Sequence, residues 1–325
     1  MLGAIIGDMA GSIYEHHNLK SKVFPFYGPR SSPTDDSIMT IAVAKAILEA
    51  DGDYDELERL AVKWMRIIGR QYPHCGYGRR FKGWLYSDET YTLDSFGNGA
   101  AMRVSPCGWA GNSLDEVRKL SYAVTCVTHG HPEGIKGAEA VACAVYLART
   151  GSSMDGIREF IEDGYYKLDF TLEEIRKDYS FDVTCQGSVP QAIEAFLESE
   201  SFEDAVRNAI SIGGDSDTIA AVTGSIAEAY YGITDEMRSG AIERFDSSAR
   251  HRYGDAYMKK DPDLIGIIEE FDEKMKKQTK FMYVEPVDYF PEDLRKKYKI
   301  GEYYEGDRDE KEEEEKTDEK TERGE

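Results

Sequence analysis

The chain has 325 residues, of which 41% are apolar, enough to fill a substantial core. Its formal net charge of −22 opposes nonspecific binding to nucleic-acid phosphates. No run of about 18 apolar residues suggests a membrane span, and the opening Met1-Leu2-Gly3-Ala4-Ile5-Ile6-Gly7-Asp8 lacks the basic leader and full apolar core of a signal peptide.

In chain order the dominant pattern is helical. Ile38 to Ala50 is apolar on most sides, with Lys45 and Glu49 as exits, and predicts a helix buried on more than one face. Glu56 to Ile68 is amphipathic, with Leu57, Leu60, Ala61, Trp64, Met65 and Ile68 recurring at steps of three and four. Leu114 to Val127 carries Asp115 and Glu116 in its first turn, where the helix dipole favours them. Gly134 to Ala148 is Ala-rich, and Val189 to Leu197 and Phe202 to Ile210 are two further helices. Ile219 to Tyr231, rich in Ala and nearly free of charge, belongs at the centre. Strand signals are scarce before residue 250. These features predict a mainly α domain, compact and many-helixed, over residues 1–250.

Past Arg250 the texture changes, and residues 251–304 read as an extension packed on that domain. Leu264 to Lys277 is a helix with a polar face, Phe281 to Val284 a short strand or extended arm, and Leu294 to Tyr298 a helical turn. Residues 305–325 are a charged, acidic tail without apolar anchors, expected to be disordered. The five cysteines, Cys75, Cys107, Cys126, Cys143 and Cys185, include no CxxC pair. They are expected as reduced thiols in a cytoplasmic protein, and no zinc site is visible.

Two oxygen clusters precede buried helices. Thr34-Asp35-Asp36-Ser37, taken alone, is explained by helix capping. Gly213-Gly214-Asp215-Ser216-Asp217-Thr218 repeats the same chemistry before a second buried helix. Capping needs one oxygen, whereas each cluster offers two carboxylates and a hydroxyl. Four carboxylates converging near a core repel one another unless a cation lies between them. Carboxylate and hydroxyl oxygens without His or Cys suit Mg²⁺ or Mn²⁺ rather than zinc. A helix N-terminus is a poor place for a bare cation, because it is itself partly positive; an oxyanionic or hydroxyl-rich ligand beside the metal makes the pairing coherent.

Three further places carry two readings each. Glu15, ending Gly7-Asp8-Met9-Ala10-Gly11-Ser12-Ile13-Tyr14-Glu15, is either a plain helix end or a carboxyl in a cleft. Phe96-Gly97-Asn98-Gly99 is either an ordinary turn or an aromatic surface beside exposed amides that suits a purine or ribose. His129 and His131 have the HxH spacing of metal ligands, but without a third ligand nearby they read as loop histidines bonded to backbone or ligand.

The ordered set GDMAGSIYE, TDDS, GNGAAMR, the Thr-His segment before GAEAVACAVYLA, and GGDSDTIAAVTGSIAEAYYG resembles the ADP-ribosylglycohydrolase family over about residues 1–235. The resemblance implies an all-α fold of many orthogonally packed helices, with two Mg²⁺ or Mn²⁺ ions. It implies that Thr34, Asp35 and Asp36 form one ligand group and Asp215, Asp217 and Thr218 the other. Glu15 matches an acidic residue that gates or assists catalysis, with Asp35 and Asp36 sharing the catalytic work of orienting water. Phe96, Gly97, Asn98, Gly99 and His129 match the segments that line an ADP-ribose pocket. Ser37 departs from the family pattern, which continues with Thr.

The implied activity is hydrolysis at the anomeric carbon of ADP-ribose in a conjugate, expected on a protein, by a monomer. A two-metal phosphoester hydrolase and a non-enzymatic ADP-ribose-binding or structural relative are the rivals.

Overall fold

A computed structural model describes residues 1–89 and 91–276. In chain order its helices are α1 (Leu2–Gly11), α2 (Asp35–Ala50), α3 (Leu57–Gly69), α4 (Arg79–Tyr86), α5 (Ser105–Ala110), α6 (Leu114–Cys126), α7 (Pro132–Arg149) and α8 (Met154–Gly164). There follow α9 (Leu172–Arg176), α10 (Cys185–Leu197), α11 (Phe202–Ser211), α12 (Ser216–Tyr231), α13 (Asp235–Tyr253), α14 (Asp255–Met258) and α15 (Leu264–Lys276). Among the described residues there is no strand, only an isolated bridge between Gly97 and Thr184. The fold of the described residues is all-α, as the family resemblance implies. The arm at 281–284, the turn at 294–298 and the tail from residue 305 lie outside the described residues.

The centre is the pair α1 and α12. Every residue of α1 is buried. Gly3, Gly7 and Gly11 form a stripe at every fourth position. A Cβ at these glycines would overlap the backbone oxygens of Gly224, Ala220 and Ser216 respectively. The two helices therefore run antiparallel in backbone contact, which only the missing side chains permit. Three glycines lower intrinsic helix propensity, so α1 is a helix because of its packing. This antiparallel contact sets the carboxyl end of α1, with Asp8, beside the amino end of α12.

Around this pair, α7, α10 and α11 cover α12, while α2 contacts both members of the pair as well as α3, α5 and α15. Thr184 caps α10 by accepting from the Gly187 amide at 3.1 Å. The helix thus starts a turn before Val189, the expected beginning, and carries Pro190 in its interior. Lys274 and Asp51 also pair between α15 and the end of α2. No described helix is long and apolar enough to cross a membrane.

Candidate metal centre

The first half of the site is built on the start of α2. Thr34 is its N-cap, its hydroxyl accepting from the Asp36 amide at 3.4 Å. The stronger anchor comes from α1. Asp8 is fully buried and accepts from the Thr34 amide at 2.8 Å, the Thr34 hydroxyl at 2.7 Å and the Ser37 amide at 3.1 Å. The Ser37 hydroxyl donates to it as well. A carboxylate on helix-terminal amides is favoured by both the free N–H groups and the dipole. Asp8 thus fixes the cap, and the cap presents Asp35 and Asp36 in successive directions. The Asp35 amide bonds to the Cys75 carbonyl at 3.0 Å. A Cβ on Gly76 would lie 2.5 Å from Asp35 Oδ1, so this glycine leaves room for the carboxylate.

The second half is a clasped loop. Gly213 and Gly214 have φ of +70° and +78°, a conformation that suits glycine. Asn18 holds the loop from both sides, accepting from the Gly214 amide at 2.7 Å and donating to its carbonyl at 3.0 Å. Asp215 occupies the N-cap position of α12 but makes no capping bond. Its Oδ2 instead accepts from Asn98 Nδ2 at 2.7 Å. Asp217 Oδ1 accepts from the Thr218 amide at 3.0 Å.

Together the two halves form two acidic triads, Asp8/Asp36/Asp217 and Glu15/Asp215/Asp217, each with ligand atoms within 4.8 Å of one another. Asp217 belongs to both. Among the described residues no Lys or Arg forms an ion pair with any of these carboxylates or with Asp35. Burial and then the neighbouring carboxylates push Asp36 and Asp217 well above the ordinary range. Burial and then Asp8 raise Asp35 to about 8. Burial raises Asp215, against the opposing Asn98 hydrogen bond. Asp36 Oδ1 is buried with no hydrogen-bond partner, an arrangement that costs free energy unless something positive meets it. The donor set fits a hard cation. Asp8 fits it least directly, because protein donors already occupy both its oxygens; it is an organiser of the first cluster.

The remaining sequence-derived positions surround these triads. Glu15 is 28% exposed, at the lip of the second triad, and burial followed by the Asp215 charge raises its pKa. Phe96 is exposed and packs against His131, with ring centroids 5.1 Å apart. Its carbonyl accepts from the Cys185 amide at 2.9 Å, and the Asn98 amide donates to Val183 at 2.7 Å. Gly97 to Gly99 are thus stapled to the approach of α10, with Asn98 reaching Asp215. His129 is buried against this turn. Asp8, Asn18, Gly76 and Arg103 are absent from the sequence-derived site. A lone aspartate in a helix otherwise buried and uncharged was the visible signal for Asp8; the other three depend on contacts distant in sequence.

A sequence profile of the ADP-ribosylglycohydrolase family matches residues 1–252. The mouse ADP-ribosylhydrolase ARH3 (Mus musculus) is 28% identical over an alignment of 307 positions, covering 72% of this chain and 83% of its own. The ADP-ribosylarginine hydrolase Tri1 of Pseudomonas putida (strain GB-1) is 26% identical, covering 72% and 70%. The ADP-ribosyl-[dinitrogen reductase] glycohydrolase of Rhodospirillum rubrum is 26% identical, covering 75% and 88%. A solved ADP-ribosylglycohydrolase-related protein complex shares the fold, with a TM-score of 0.52 and 20% identity over 78% of this chain and 94% of that one. With its helical architecture, its converging acid clusters and a family profile spanning most of its length, this chain belongs to the ADP-ribosylglycohydrolase family.

Proposed function

We propose that this protein hydrolyses the glycosidic bond at the anomeric carbon of ADP-ribose in an ADP-ribosylated protein or a related conjugate, using two Mg²⁺ or Mn²⁺ ions. The observation that carries this reading is the meeting of two acidic triads at Asp217. Thr34, Asp35, Asp36, Asp215, Asp217 and Thr218 are the proposed ligands. Bound there, the cations would supply Lewis acidity and positive charge.

The protein's own groups divide the remaining work. Asp35 and Asp36, rigid on the capped end of α2, orient the attacking water. The carboxylates favour positive charge developing on the ribose as the leaving group departs. Burial and then the Asp215 charge raise the Glu15 pKa, and its side chain is partly exposed, which suits a group that exchanges a proton with the ligand. The exposed Phe96 ring offers a stacking face, and Gly97 to Gly99 and His129 the polar wall of the ADP-ribose pocket. All these groups come from one chain, so a monomer suffices. The five cysteines are unpaired, which supports a reducing cytoplasmic location.

A panel of ADP-ribosylated proteins and small conjugates, each with Mg²⁺, with Mn²⁺ and with EDTA, tests the proposal. Cation-dependent release of ADP-ribose is the expected result. Release of inorganic phosphate instead would assign the site to phosphoester hydrolysis, and turnover undiminished by EDTA would refute the metal scheme.

A further inference from the structure

Arg103 is the least expected charge in the molecule. It is fully buried and forms no ion pair among the described residues, and its Nε has no hydrogen-bond partner. Burial lowers its pKa to about 10, so the guanidinium stays charged near neutrality. Its ring contact is Phe81, 5.7 Å from the ring centroid. Nη2 donates to the Val124 carbonyl at 3.4 Å, and its other polar contacts are the Thr128–His129 pair. Nη2 donates to the Thr128 hydroxyl and lies 3.2 Å from His129 Nδ1. The Thr128 hydroxyl is itself 2.8 Å from that same Nδ1.

A guanidinium has donors only. Every atom it faces must therefore offer a lone pair, and His129 Nδ1 faces it. The Thr128 hydroxyl accepts from Arg103 and has one proton to give, which points to the same nitrogen. Both approaches leave Nδ1 unprotonated. The ring proton then sits on Nε2. That atom faces the turn of the pocket: Cβ atoms built on Gly99 and Gly97 would lie 3.3 and 3.8 Å from it. Among the described residues His129 Nε2 has no hydrogen-bond partner, although His129 is only 6% exposed.

We propose that Arg103 is a positioning residue that, directly and through Thr128, locks His129 as the neutral Nε2–H tautomer, making its free edge an obligate donor to a ligand oxygen or ring nitrogen at the Gly97–Gly99 turn. The placement of ADP-ribose at that turn rests on the function proposed above; the tautomer does not. A second proton on Nδ1 would face the guanidinium and be repelled by it. Burial, then Arg103 and Arg80, hold the imidazole well below its ordinary pKa, in keeping with this direction of bonding. The histidine beside a hydrolytic centre is thereby removed from acid–base duty and kept for recognition.

Long-range proton–nitrogen correlation spectra of the full-length nitrogen-15-labelled protein test the idea. The chain has six histidines, and His129→Gln assigns the signal. The expected pattern is a lone-pair Nδ1 and a protonated Nε2 that persist from about pH 8 to about pH 5. A protonated Nδ1, or a ring that titrates near its ordinary pKa of about 6.5, overturns the proposal. Arg103→Met should release the tautomer, or raise the pKa, while Arg103→Lys keeps a donor and should largely preserve both. An unchanged ring in Arg103→Met removes the role from Arg103; if that variant does not fold, Thr128→Val is read instead, where a ring still locked supports Arg103 and a freed ring assigns the lock to Thr128.

Binding of ADP-ribose, followed by calorimetry, separates the two layers. His129→Gln keeps an amide donor near the Nε2 position, while His129→Ala removes it and should weaken binding about tenfold. Equal losses in Gln and Ala would refute the donor role. A wild-type protein with the expected tautomer but no affinity for ADP-ribose would refute the proposed ligand and leave the positioning role of Arg103 standing.

Discussion

The two oxygen clusters have nearly the same composition and opposite construction. Thr34-Asp35-Asp36 is a true helix cap, reinforced by a buried aspartate from another helix. Asp215-Ser216-Asp217-Thr218 caps nothing with its first side chain; glycine torsions and two asparagines hold it in place. Local propensity therefore accounts for the first cluster and fails for the second. Where a side chain ideal for capping is turned away from its own helix, its orientation requires another cause, and here that cause is the Asn98 amide that holds the Asp215 carboxylate.

The largest effect should come from the residue common to both triads. Asp217→Asn should lower ADP-ribose release by at least about a hundredfold, measured at saturating Mg²⁺ and Mn²⁺. The same variant should melt at a higher temperature than the parent in EDTA, because it removes an uncompensated buried acid. A lower melting temperature in EDTA would mean that the carboxylates are compensated by something other than a cation.

Next comes the contact that brings the clusters together. Gly7→Ala forces a methyl against the Ala220 carbonyl and should cost about 3 kcal/mol in chemical denaturation, with activity falling as Asp8 moves. Tolerance of alanine there would show that α1 and α12 can separate without loss.

The third test uses protons. Asp35, Asp36, Asp215 and Asp217 all have folded-state pKa values above the unfolded one. Between the unfolded value of 3.8 and about 8, the Asp35 values, the folded EDTA-treated protein binds more protons than the unfolded chain. Its stability must then rise as pH falls from about 8 toward about 5. Saturating Mg²⁺ should remove most of that slope, because cation and proton compete for the same oxygens. Melting curves at several pH values in EDTA and in Mg²⁺ check this.

The smallest effect sharpens the contrast itself. Thr34→Ala should cost about 1 kcal/mol of metal-free stability through loss of its cap. Asp215→Ala, at the equivalent position of α12, should cost no cap energy and is expected to be neutral or stabilising without metal. Equal losses measured by denaturation would erase the distinction.

Much of this was legible in the chain. The periodicity of 38–50, 56–68 and 114–127 located helices to within three residues of their ends. The two Thr/Asp clusters announced themselves because they repeated one chemistry before two uncharged segments. The helix of residues 2–11 was harder, since glycine at every fourth position reads as weak propensity until the partner backbone is seen against it. Asp8 was overlooked for the same reason: its four donors lie more than twenty residues away. Asn98 shows the opposite error of scale. Its turn was visible, but the bond to Asp215 that ties the turn to the acids spans more than a hundred residues, and no local pattern encodes it.

The stripe of Gly3, Gly7 and Gly11 has one more consequence. Side-chain interfaces yield, because rotamers can adjust to a neighbour's movement; two backbones in van der Waals contact have no such compliance. The spacing between Asp8 on one helix and Asp217 on the other is therefore set like a machined gap rather than a cushioned one. Under the proposed two-metal scheme, adjustment to ions of different radius would fall to the Gly213-Gly214 turn held by Asn18, ahead of Asp215, where a substitution touches no proposed ligand.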